Sequence, residues 1–339
     1  MAQPDPIRWG IVGTANIARA QFLPGLREAG GGRPVLVASR DQARAAAYAA
    51  EHGIGGGIAD YAALVESPQV DAVYVALPNA LHAEPTIRAL RAGKAVLCEK
   101  PLSVGSAQTK NVLDAAAAAP LWEAFVFPFQ AQHQRLVQLL ADGAVGEPAE
   151  LYSAFHFLLS NRANIRMDAA LGGGALADVG CYPIRLALEL FGTGAGTGTS
   201  GGAGAEPKVE ACSARTEGEV ETDAAGIVAF GARRLLLTCG FNRSYDTFST
   251  VLGRAGQIQL TNPFHPGPGD TLTVLRPGAA PLTEHPTTDQ RSFTAAIRHI
   301  HAVLRGESAP RHTAAEYALP AARVLEQLQR LARPAGEGR

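Results

Sequence analysis

The chain has 339 residues, of which 47% are hydrophobic and 18% charged, and its formal net charge is −1. This length suffices for two domains, and the composition excludes global disorder. The lysines and arginines are scattered, which argues against nucleic-acid binding, and no apolar run has the length of a membrane span. The four cysteines form no CxxC pair and no metal-like cluster. We therefore expect reduced, mostly buried thiols, no bound metal and, without a secretory signal, a cytoplasmic protein.

The first 127 residues alternate between short apolar runs and segments with helical spacing. Ile7–Val12 is the first predicted strand, and the helix after it ends at the glycines of positions 30–32. Further strands are predicted over 34–39, 70–77, 95–98 and 121–127. Further helices are predicted over 41–53, 85–92 and 103–118, the last with Ser103 as its N-cap. This alternation indicates an α/β fold with a Rossmann-type, doubly wound parallel sheet over residues 1–127.

The pattern changes near Pro128. After a helix over 132–141, strand-like segments follow one another without helices between them, over 149–157, 209–215, 226–230, 235–242, 250–253, 257–260 and 271–275. This order indicates a second, α+β domain over 128–339, built on a large and mostly antiparallel open sheet. The closing helices, over 289–304 and 313–331, are expected to pack on the first domain or on the sheet edge. Residues 192–206 hold no large apolar side chain, which predicts a flexible insertion.

The turn after the first strand has the features of a dinucleotide site. It matches the G-x-G-x-x-G fingerprint with its first glycine, and it has alanine at both later positions, which is a known variant of the third. An ordinary strand-to-helix turn would also fit, but the position at the start of the chain favours a cofactor site. Backbone N–H groups at the helix N-terminus would then hold the pyrophosphate. The residues of this predicted site are Gly13, Thr14, Ala15, Asn16 and Ile17.

The end of the second strand favours NADP over NAD. An NAD site usually places a carboxylate here for the ribose 2′-hydroxyl, whereas the hydroxyl of Ser39 and the guanidinium of Arg40 suit a 2′-phosphate. Arg44, one helical turn further on, is a second candidate for that phosphate. We expect Asp41 to cap the following helix instead.

Two more strand ends supply candidate cofactor residues. Pro78 cannot continue a ladder, so the chain turns there, at the carboxyl edge where ligands bind such sheets. Leu77, Pro78, Asn79 and His82 are therefore candidate walls of the ribose and nicotinamide pocket. The alternative is that Asn79 caps a helix and His82 lies at the surface. Glu99 and Lys100 follow the strand over 95–98 and are expected to contact the cofactor as well.

Several motifs together resemble the Gfo/Idh/MocA family of glucose–fructose oxidoreductases and inositol dehydrogenases. They read GIVGTANIA at 10–18, LPNALH at 77–82, CEKPL at 98–102, EAF at 123–125 and GGGALADVGCYP at 172–183, in the family's order and spacing. Tyr182, with Asn164-Ile165-Arg166 ahead of it, resembles the branch of NADP-dependent D-xylose dehydrogenases and dimeric dihydrodiol dehydrogenases. The stretch Val126–Gln132 lacks the arginine and histidine usual in that branch, which leaves the substrate open.

The resemblance implies an oxidoreductase that transfers a hydride between NADP and a sugar, a cyclic diol or a keto-sugar. Tyr182 is the expected proton donor or acceptor. The ammonium of Lys100 would lower the pKa of this phenol, which is near ~10 when free. Asp178, four residues before Tyr182, would orient sugar hydroxyls or the lysine. The remaining residues expected to contact the substrate are Phe157, Asn164 and Arg166.

Each of the three catalytic candidates also has a purely structural interpretation. Lys100 would then belong to a surface turn, Asp178 would be a helix cap, and Tyr182 would be a core aromatic residue. Two alternative functions follow: a non-catalytic NADP-binding sensor, or a glycoside-cleaving relative with tightly bound NAD. The three residues together argue against the sensor, and Ser39 with Arg40 argues against NAD. The open second sheet and the resemblance predict a homodimer or homotetramer formed through that sheet.

Overall fold

The computed structural model describes residues 5–192, 206–287 and 290–332. Within these residues the predicted fold class is confirmed: one parallel sheet is followed by a mostly antiparallel one. The chain divides into two compact units, the first made of Met1–Val126 with Gln290–Ala318 and the second of Phe127–Asp289 with Leu319–Arg339. The assignment of a cofactor role to residues 1–127 and of a substrate role to 128–339 stays a prediction.

In the first unit, the described strands form a six-stranded sheet in the order β3-β2-β1-β4-β5-β6, with every pair parallel. The strands are β1 (Ile7–Val12), β2 (Gly32–Ala38), β3 (Gly57–Ile58), β4 (Ala72–Val75), β5 (Ala95–Cys98) and β6 (Leu121–Glu123). The helices are α1 (Leu23–Ala29, preceded by a π-helical turn at Ala18–Phe22), α2 (Gln42–His52), α3 (Tyr61–Glu66), α4 (Ala83–Arg91) and α5 (Ser106–Ala115). The strand order reverses between β1 and β4, where such sheets bind ligands.

The second unit begins with α6 (Ala131–Ala141), and its described strands form an eight-stranded sheet in the order β14-β13-β12-β11-β7-β10-β9-β8. Neighbouring strands are antiparallel except β7 and β10, which run parallel. The strands are β7 (Pro148–Leu158), β8 (Lys208–Glu217), β9 (Val220–Phe230), β10 (Arg233–Gly240), β11 (Asn242–Gly253), β12 (Gly256–Thr261), β13 (Leu272–Leu275) and β14 (Leu282–Glu284). A further helix of this unit is α7 (Cys181–Phe191), which continues a π-helical turn at Leu176–Gly180. Of the two closing helices, α8 (Ser292–Leu304) belongs to the first unit, and α9 (Ala314–Ala332) begins in the first unit and ends in the second.

The closing helix α8 packs on α1 in the first unit. The indole Nε1 of Trp9 donates to Nε2 of His301 at 2.9 Å, and His301 Nδ1 lies 3.0 Å from the carbonyl oxygen of Gly30. One nitrogen therefore accepts and the other donates, so the buried ring is satisfied as a neutral imidazole. Burial lowers the pKa of His301 to about 4.

Several predicted element boundaries were wrong. The strand predicted over 121–127 ends at Glu123, because Phe127–Phe129, with Pro128 at its centre, forms a 3₁₀ turn. The helix predicted from Ser103 begins at Ser106, and the hydroxyl of Ser103 instead lies 2.8 Å from that of Thr109. The short elements β3, α3 and β14 were not predicted. Asp41 does cap α2, accepting from the backbone N–H of Arg44.

All four cysteines lie in the described residues and none forms a disulfide, as the sequence predicts. Three of them, Cys98, Cys181 and Cys239, are buried. Burial raises the pKa of the half-buried Cys212 to about 11, so its thiol is protonated at neutral pH. In the described ranges, no helix is both long and apolar enough to cross a bilayer. Most of the predicted insertion, residues 193–205, lies outside the described residues.

Candidate functional site

The predicted cofactor residues follow four neighbouring strands of the first sheet. Gly13–Ile17 follow β1, Ser39 and Arg40 follow β2, Leu77–Asn79 follow β4, and Glu99 with Lys100 follow β5. Because the strands are parallel, these turns lie along one edge of the sheet, on both sides of the point where the strand order reverses. The structure therefore brings the predicted cofactor residues to the place where a doubly wound sheet binds its ligand.

The turn after β1 requires glycine at its first position. Gly13 has φ +101°, and its N–H donates to the carbonyl oxygen of Ala38 at 2.9 Å. A Cβ at this position would lie 2.3 Å from the carbonyl oxygen of Ala76, at the end of β4. The turn thus approaches the neighbouring strand more closely than a side chain would permit. Ala15 and Asn16 lead directly into the helical turn, where Asn16 Oδ1 accepts from the Arg19 guanidinium at 2.5 Å.

Two arginines lie beside this turn. Arg44 Nε donates to the hydroxyl of Thr14 at 2.7 Å, so the first turn of α2 is joined to the turn after β1. Arg40 is exposed, whereas Ser39 is only 6% exposed. Partial burial raises the pKa of Tyr61, and the positive charges of Arg40 and Arg44 oppose that rise. A hydroxyl and two cations at the end of β2 are the groups that a 2′-phosphate needs, so these residues fit NADP.

His82 does not lie at the surface, so that alternative interpretation of the sequence was wrong. Its side chain is fully buried, and its two ring nitrogens lie 2.8 Å from the carbonyl oxygens of Leu77 and Pro101. Burial is the main cause of the lowered pKa of His82, and the charge of Lys100 adds to it. The ring therefore joins the turn after β4 to the turn after β5. A direct contact between His82 and the cofactor stays a prediction.

Two functional residues of this edge were not predicted from the sequence. The phenol of Tyr74, in β4, donates to Glu99 Oε1 at 2.6 Å, and Oε1 of Glu123, in β6, accepts from the Leu102 backbone N–H at 2.7 Å. Both side chains are buried, with exposed fractions of 0% and 8%. A lone tyrosine or glutamate inside an apolar strand was the available signal, because buried polar groups need partners.

In the second unit, four of the predicted substrate residues form one cluster. Arg166 Nε donates to Asp178 Oδ2 at 2.5 Å, and the Arg166 guanidinium lies 5.6 Å from the centre of the Phe157 ring. Asn164 Oδ1 accepts from the backbone N–H of Arg166 at 3.1 Å and thus holds the loop in place. Asp178 lies inside the π-helical turn rather than at its N-cap. Its carboxylate is therefore oriented by a cation from a separate loop.

Tyr182 lies in a cluster of aromatic rings at the start of α7. Its ring centre is 5.2 Å from those of Phe155 and Phe264 and 5.5 Å from that of His265. The side chain is 7% exposed, and His265 is exposed beside it. These three neighbours were not predicted from the sequence. Phe155 shares a face of β7 with the predicted Phe157, which was a usable signal. Phe264 and His265 come from a loop, whose position the sequence does not reveal.

A buried ionic network anchors α7, the helix that carries Tyr182. Nη1 of Arg185 lies 2.7 Å from one carboxylate oxygen of Glu189 within the helix, and the second oxygen lies 2.8 Å from Nε2 of His133 in α6. All three side chains are at most 5% exposed. Charged groups this deeply buried are tolerated only when they are paired, so the network fixes α7 against α6. Among the described residues, no group of three or more His, Cys, Asp or Glu side chains is arranged to hold a metal ion.

Comparison with known families identifies both parts of the chain. Residues 7–122 match the family described as "Oxidoreductase family, NAD-binding Rossmann fold", and residues 133–259 match the "GFO/IDH/MocA C-terminal domain". The two matches lie in the first and second units in turn.

Individual relatives are named as sugar oxidoreductases. The chain is 33% identical to a dTDP-3,4-didehydro-2,6-dideoxy-alpha-D-glucose 3-reductase from Streptomyces violaceoruber, over 86% of this chain and 85% of that one. It is 39% identical to a D-xylose 1-dehydrogenase (NADP(+)) from Haloferax volcanii, over 55% of this chain and 57% of that one. A similar fold is seen in the crystal structure of a 3-ketoreductase from Actinomadura kijaniata in complex with NADP and TDP-benzene. The TM-score is 0.85, and the sequences are 30% identical over 97% of this chain and 98% of that one.

Proposed function

This chain belongs to the Gfo/Idh/MocA family of oxidoreductases, and on that premise we propose that it is an NADP-dependent sugar or diol oxidoreductase. The predicted family is thereby confirmed. The observation that carries the proposal is the cluster in the second unit, where Arg166 orients the carboxylate of Asp178. Tyr182, whose phenol packs against aromatic rings, follows one helical turn later. An oriented carboxylate and a phenol on one helical segment suit a substrate with several hydroxyl groups.

The cofactor we propose is NADP rather than NAD. Two cations support it: Arg40, which is exposed, and Arg44, whose guanidinium donates a hydrogen bond to Thr14. Both follow β2, at the place beside which a dinucleotide's 2′-phosphate would bind. The NADP-dependent xylose dehydrogenase and the NADP complex of the ketoreductase support it as well. When bound, NADP supplies the acceptor or donor of the hydride. Backbone groups of Gly13–Ile17 would hold its pyrophosphate, and Glu99 a ribose hydroxyl.

We assign proton transfer to Tyr182. Its phenol gives a proton to the substrate's carbonyl oxygen during reduction, or takes one from its hydroxyl during oxidation. Lys100 provides the positive charge that stabilises the phenolate and the reacting oxygen. Asp178, held by Arg166, accepts hydrogen bonds from neighbouring substrate hydroxyls and so fixes which carbon reacts. The rings around Tyr182 exclude water from the phenol and provide apolar surface for the C–H groups of a sugar or cyclic diol.

The substrates in the relatives' names range from a free aldose to a keto-sugar linked to a nucleotide. The substrate is therefore proposed at the level of a sugar, cyclic diol or keto-sugar. A panel of aldoses, inositols, trans-diols and keto-sugars, each with NADP(H) and NAD(H) and followed at 340 nm, identifies the substrate and the cofactor together. NADPH binding without turnover of any compound would favour the sensor alternative.

The catalytic assignment is tested with Tyr182→Phe and Lys100→Ala. Each change should lower kcat by about 100-fold or more, because general acid–base catalysis typically contributes that much. Binding of NADPH, measured by fluorescence titration, should stay nearly intact. Tyr152→Phe is the matched control, since this exposed phenol of β7 donates to the neighbouring Glu150 on the sheet surface. Near-normal turnover in Tyr182→Phe would remove Tyr182 from proton transfer.

We further propose that the protein self-associates through its eight-stranded sheet. Large apolar side chains are exposed on that sheet, including Tyr152, Leu158 and Phe248, which are 37%, 62% and 40% exposed. Exposed apolar surface of this kind marks contact sites. Light scattering after size-exclusion chromatography should show a dimer or tetramer, and Phe248→Asp should shift it toward the monomer. A wild-type monomer would contradict this proposal. The cytoplasmic location stays a prediction.

A further inference from the structure

Strand β4 contains a buried phenol to which the proposed mechanism gives no role. Tyr74 lies between Val73 and Val75, and its side chain is fully buried. Its ring is stacked on Phe22, with ring centres 4.0 Å apart and an angle of 12° between the planes. Packing of this kind fixes the ring, and it therefore fixes the direction in which the hydroxyl points.

The hydroxyl of Tyr74 points at the carboxyl edge of the sheet. It donates to Glu99 Oε1 at 2.6 Å, and Glu99 is the first residue after β5. The backbone of Glu99 is held as well, since its N–H donates to the carbonyl oxygen of Val75 at 2.9 Å. Burial and the neighbouring carboxylate raise the pKa of Tyr74 well above its usual value, so the phenol stays protonated and donates.

Two other buried side chains hold the same segment, but they act on its backbone. His82 Nδ1 lies 2.8 Å from the Pro101 carbonyl oxygen, and Glu123 Oε1 accepts from the Leu102 N–H at 2.7 Å. These contacts fix the path of the chain after Glu99. The contact of Tyr74, in contrast, is with the side chain of Glu99. The carboxylate's orientation is therefore controlled separately from the path of the backbone.

We propose that Tyr74 is a positioning residue for cofactor binding: its hydroxyl fixes the Glu99 carboxylate as an acceptor for a ribose hydroxyl of the dinucleotide. The inference rests on the proposed function, since it takes the carboxyl edge of β4 and β5 as the cofactor site. A carboxylate has about four acceptor positions, and the bond from Tyr74 occupies one of them. A carboxylate oriented before binding loses less side-chain freedom when the cofactor arrives.

The test is NADPH binding to the full-length Tyr74→Phe variant, measured by fluorescence titration. The change removes the hydroxyl and keeps the ring, and we expect Kd to rise about tenfold, which corresponds to about 1.4 kcal/mol. In steady-state assays the KM for NADP(H) should rise similarly, while kcat at saturating cofactor stays within about twofold. Tyr48→Phe is the matched control, because this buried phenol of the same unit has no hydrogen-bond partner among the described residues. Its Kd should not change.

A double-mutant cycle separates positioning from a general effect on folding. On a Glu99→Ala background, Tyr74→Phe should have no further effect on Kd, because the group that Tyr74 orients is gone. An equal loss of affinity in both backgrounds would overturn the inference. So would an unchanged Kd in Tyr74→Phe while the wild type binds NADPH, an outcome that leaves the proposed function standing. A wild type that binds neither NADPH nor NADH would overturn both.

A second variant covers the case in which Tyr74→Phe does not fold. Glu99→Asp keeps the charge at a half-buried position and shortens the side chain by one methylene, which moves the carboxylate away from the buried hydroxyl. We expect Kd for NADPH to rise about tenfold in this variant too. An unchanged Kd would show that the position of the carboxylate has no influence on binding, and it would overturn the inference.

Discussion

The two candidate sites, one in each unit, are built in different ways. At the edge of the first sheet, the backbone determines the geometry: the turns after β1, β4 and β5 are set by parallel pairing, and Gly13 permits the closest approach. In the second unit, side chains determine it: Arg166 from a loop holds Asp178, and rings from β7 and another loop surround Tyr182.

This difference predicts how each site responds to substitution. A backbone turn has few acceptable conformations, so one wrong residue displaces every donor in it. A side-chain cluster shares its contacts among several residues, so removal of one contact leaves the others in place. We therefore expect one substitution in the backbone turn of the first site to cause a large loss of binding. One substitution among the side chains that surround Asp178 and Tyr182 should cause a smaller loss.

The largest effect is expected for Gly13→Ala. An alanine there would need φ near +101° and would place its Cβ 2.3 Å from the Ala76 carbonyl oxygen, so the turn must move. We expect NADPH affinity to fall by about 100-fold, equivalent to about 3 kcal/mol of strain and displacement. Gly93→Ala is the matched control, because Gly93 also has positive φ, at +74°, but no atom lies within 4 Å of the added Cβ. Equal affinities in the two variants would contradict the backbone argument.

A smaller but selective effect is expected for Arg40→Asp. The change replaces a cation that suits a 2′-phosphate by a carboxylate that suits a ribose 2′-hydroxyl. The ratio of kcat/KM for NADP to that for NAD should fall about 30-fold, since a hydrogen bond to a charged group contributes about 1.5–3 kcal/mol. Arg91→Asp, an exposed arginine at the end of α4, is the charge-matched control. An unchanged ratio in Arg40→Asp would remove Arg40 from the cofactor site.

The difference between geometry set by the backbone and geometry set by side chains also explains which features the sequence predicted. Strand β1, its glycine turn and the Asp41 cap of α2 were predicted because local patterns specify them: an apolar run, a small-residue turn and a capping side chain. The parallel alternation then determined which strand ends meet. By contrast, β3 has two residues, and its pairing with β2 depends on the rest of the sheet rather than on its own sequence.

Within the sites, the sequence identified residue types better than partners. The ion pair between Arg166 and Asp178 joins two residues that were predicted separately, and their sequence separation of 12 gave no indication of contact. Phe264 and His265 reach Tyr182 because Asn262, with φ +46°, turns the loop that carries them. Such contacts depend on tertiary packing, which single-sequence patterns do not encode.

An effect of intermediate size is expected at the Arg166–Asp178 pair. Arg166→Lys keeps the charge but loses the planar fork and the contact with Phe157, so Asp178 becomes less well oriented. We expect the substrate KM to rise about tenfold, which corresponds to about 1.4 kcal/mol, while kcat changes less than about threefold. Arg162→Lys, on the same loop but paired with Glu217, is the control and should behave as the wild type. A fall in kcat with unchanged KM would show that the pair acts on chemistry rather than on binding.

The smallest effect on either site is expected from pH, through the histidine that joins α8 to β1. His301 is neutral in the folded protein because it accepts from Trp9 and is buried, and its pKa is lowered to about 4. In the unfolded chain the group titrates near ~6.5, so the unfolded state binds a proton first as pH falls. The free energy of unfolding should therefore decrease between about pH 6.5 and 4, by roughly 3 kcal/mol from this group, and level off below. His301→Gln keeps an acceptor for Trp9 and a donor for Gly30 without titrating, and it should flatten the curve measured by urea denaturation. His285→Gln, in the second unit, is the control. An unchanged slope in His301→Gln would show that the acid sensitivity lies elsewhere, and NADPH affinity at pH 7 should be the same in all three proteins.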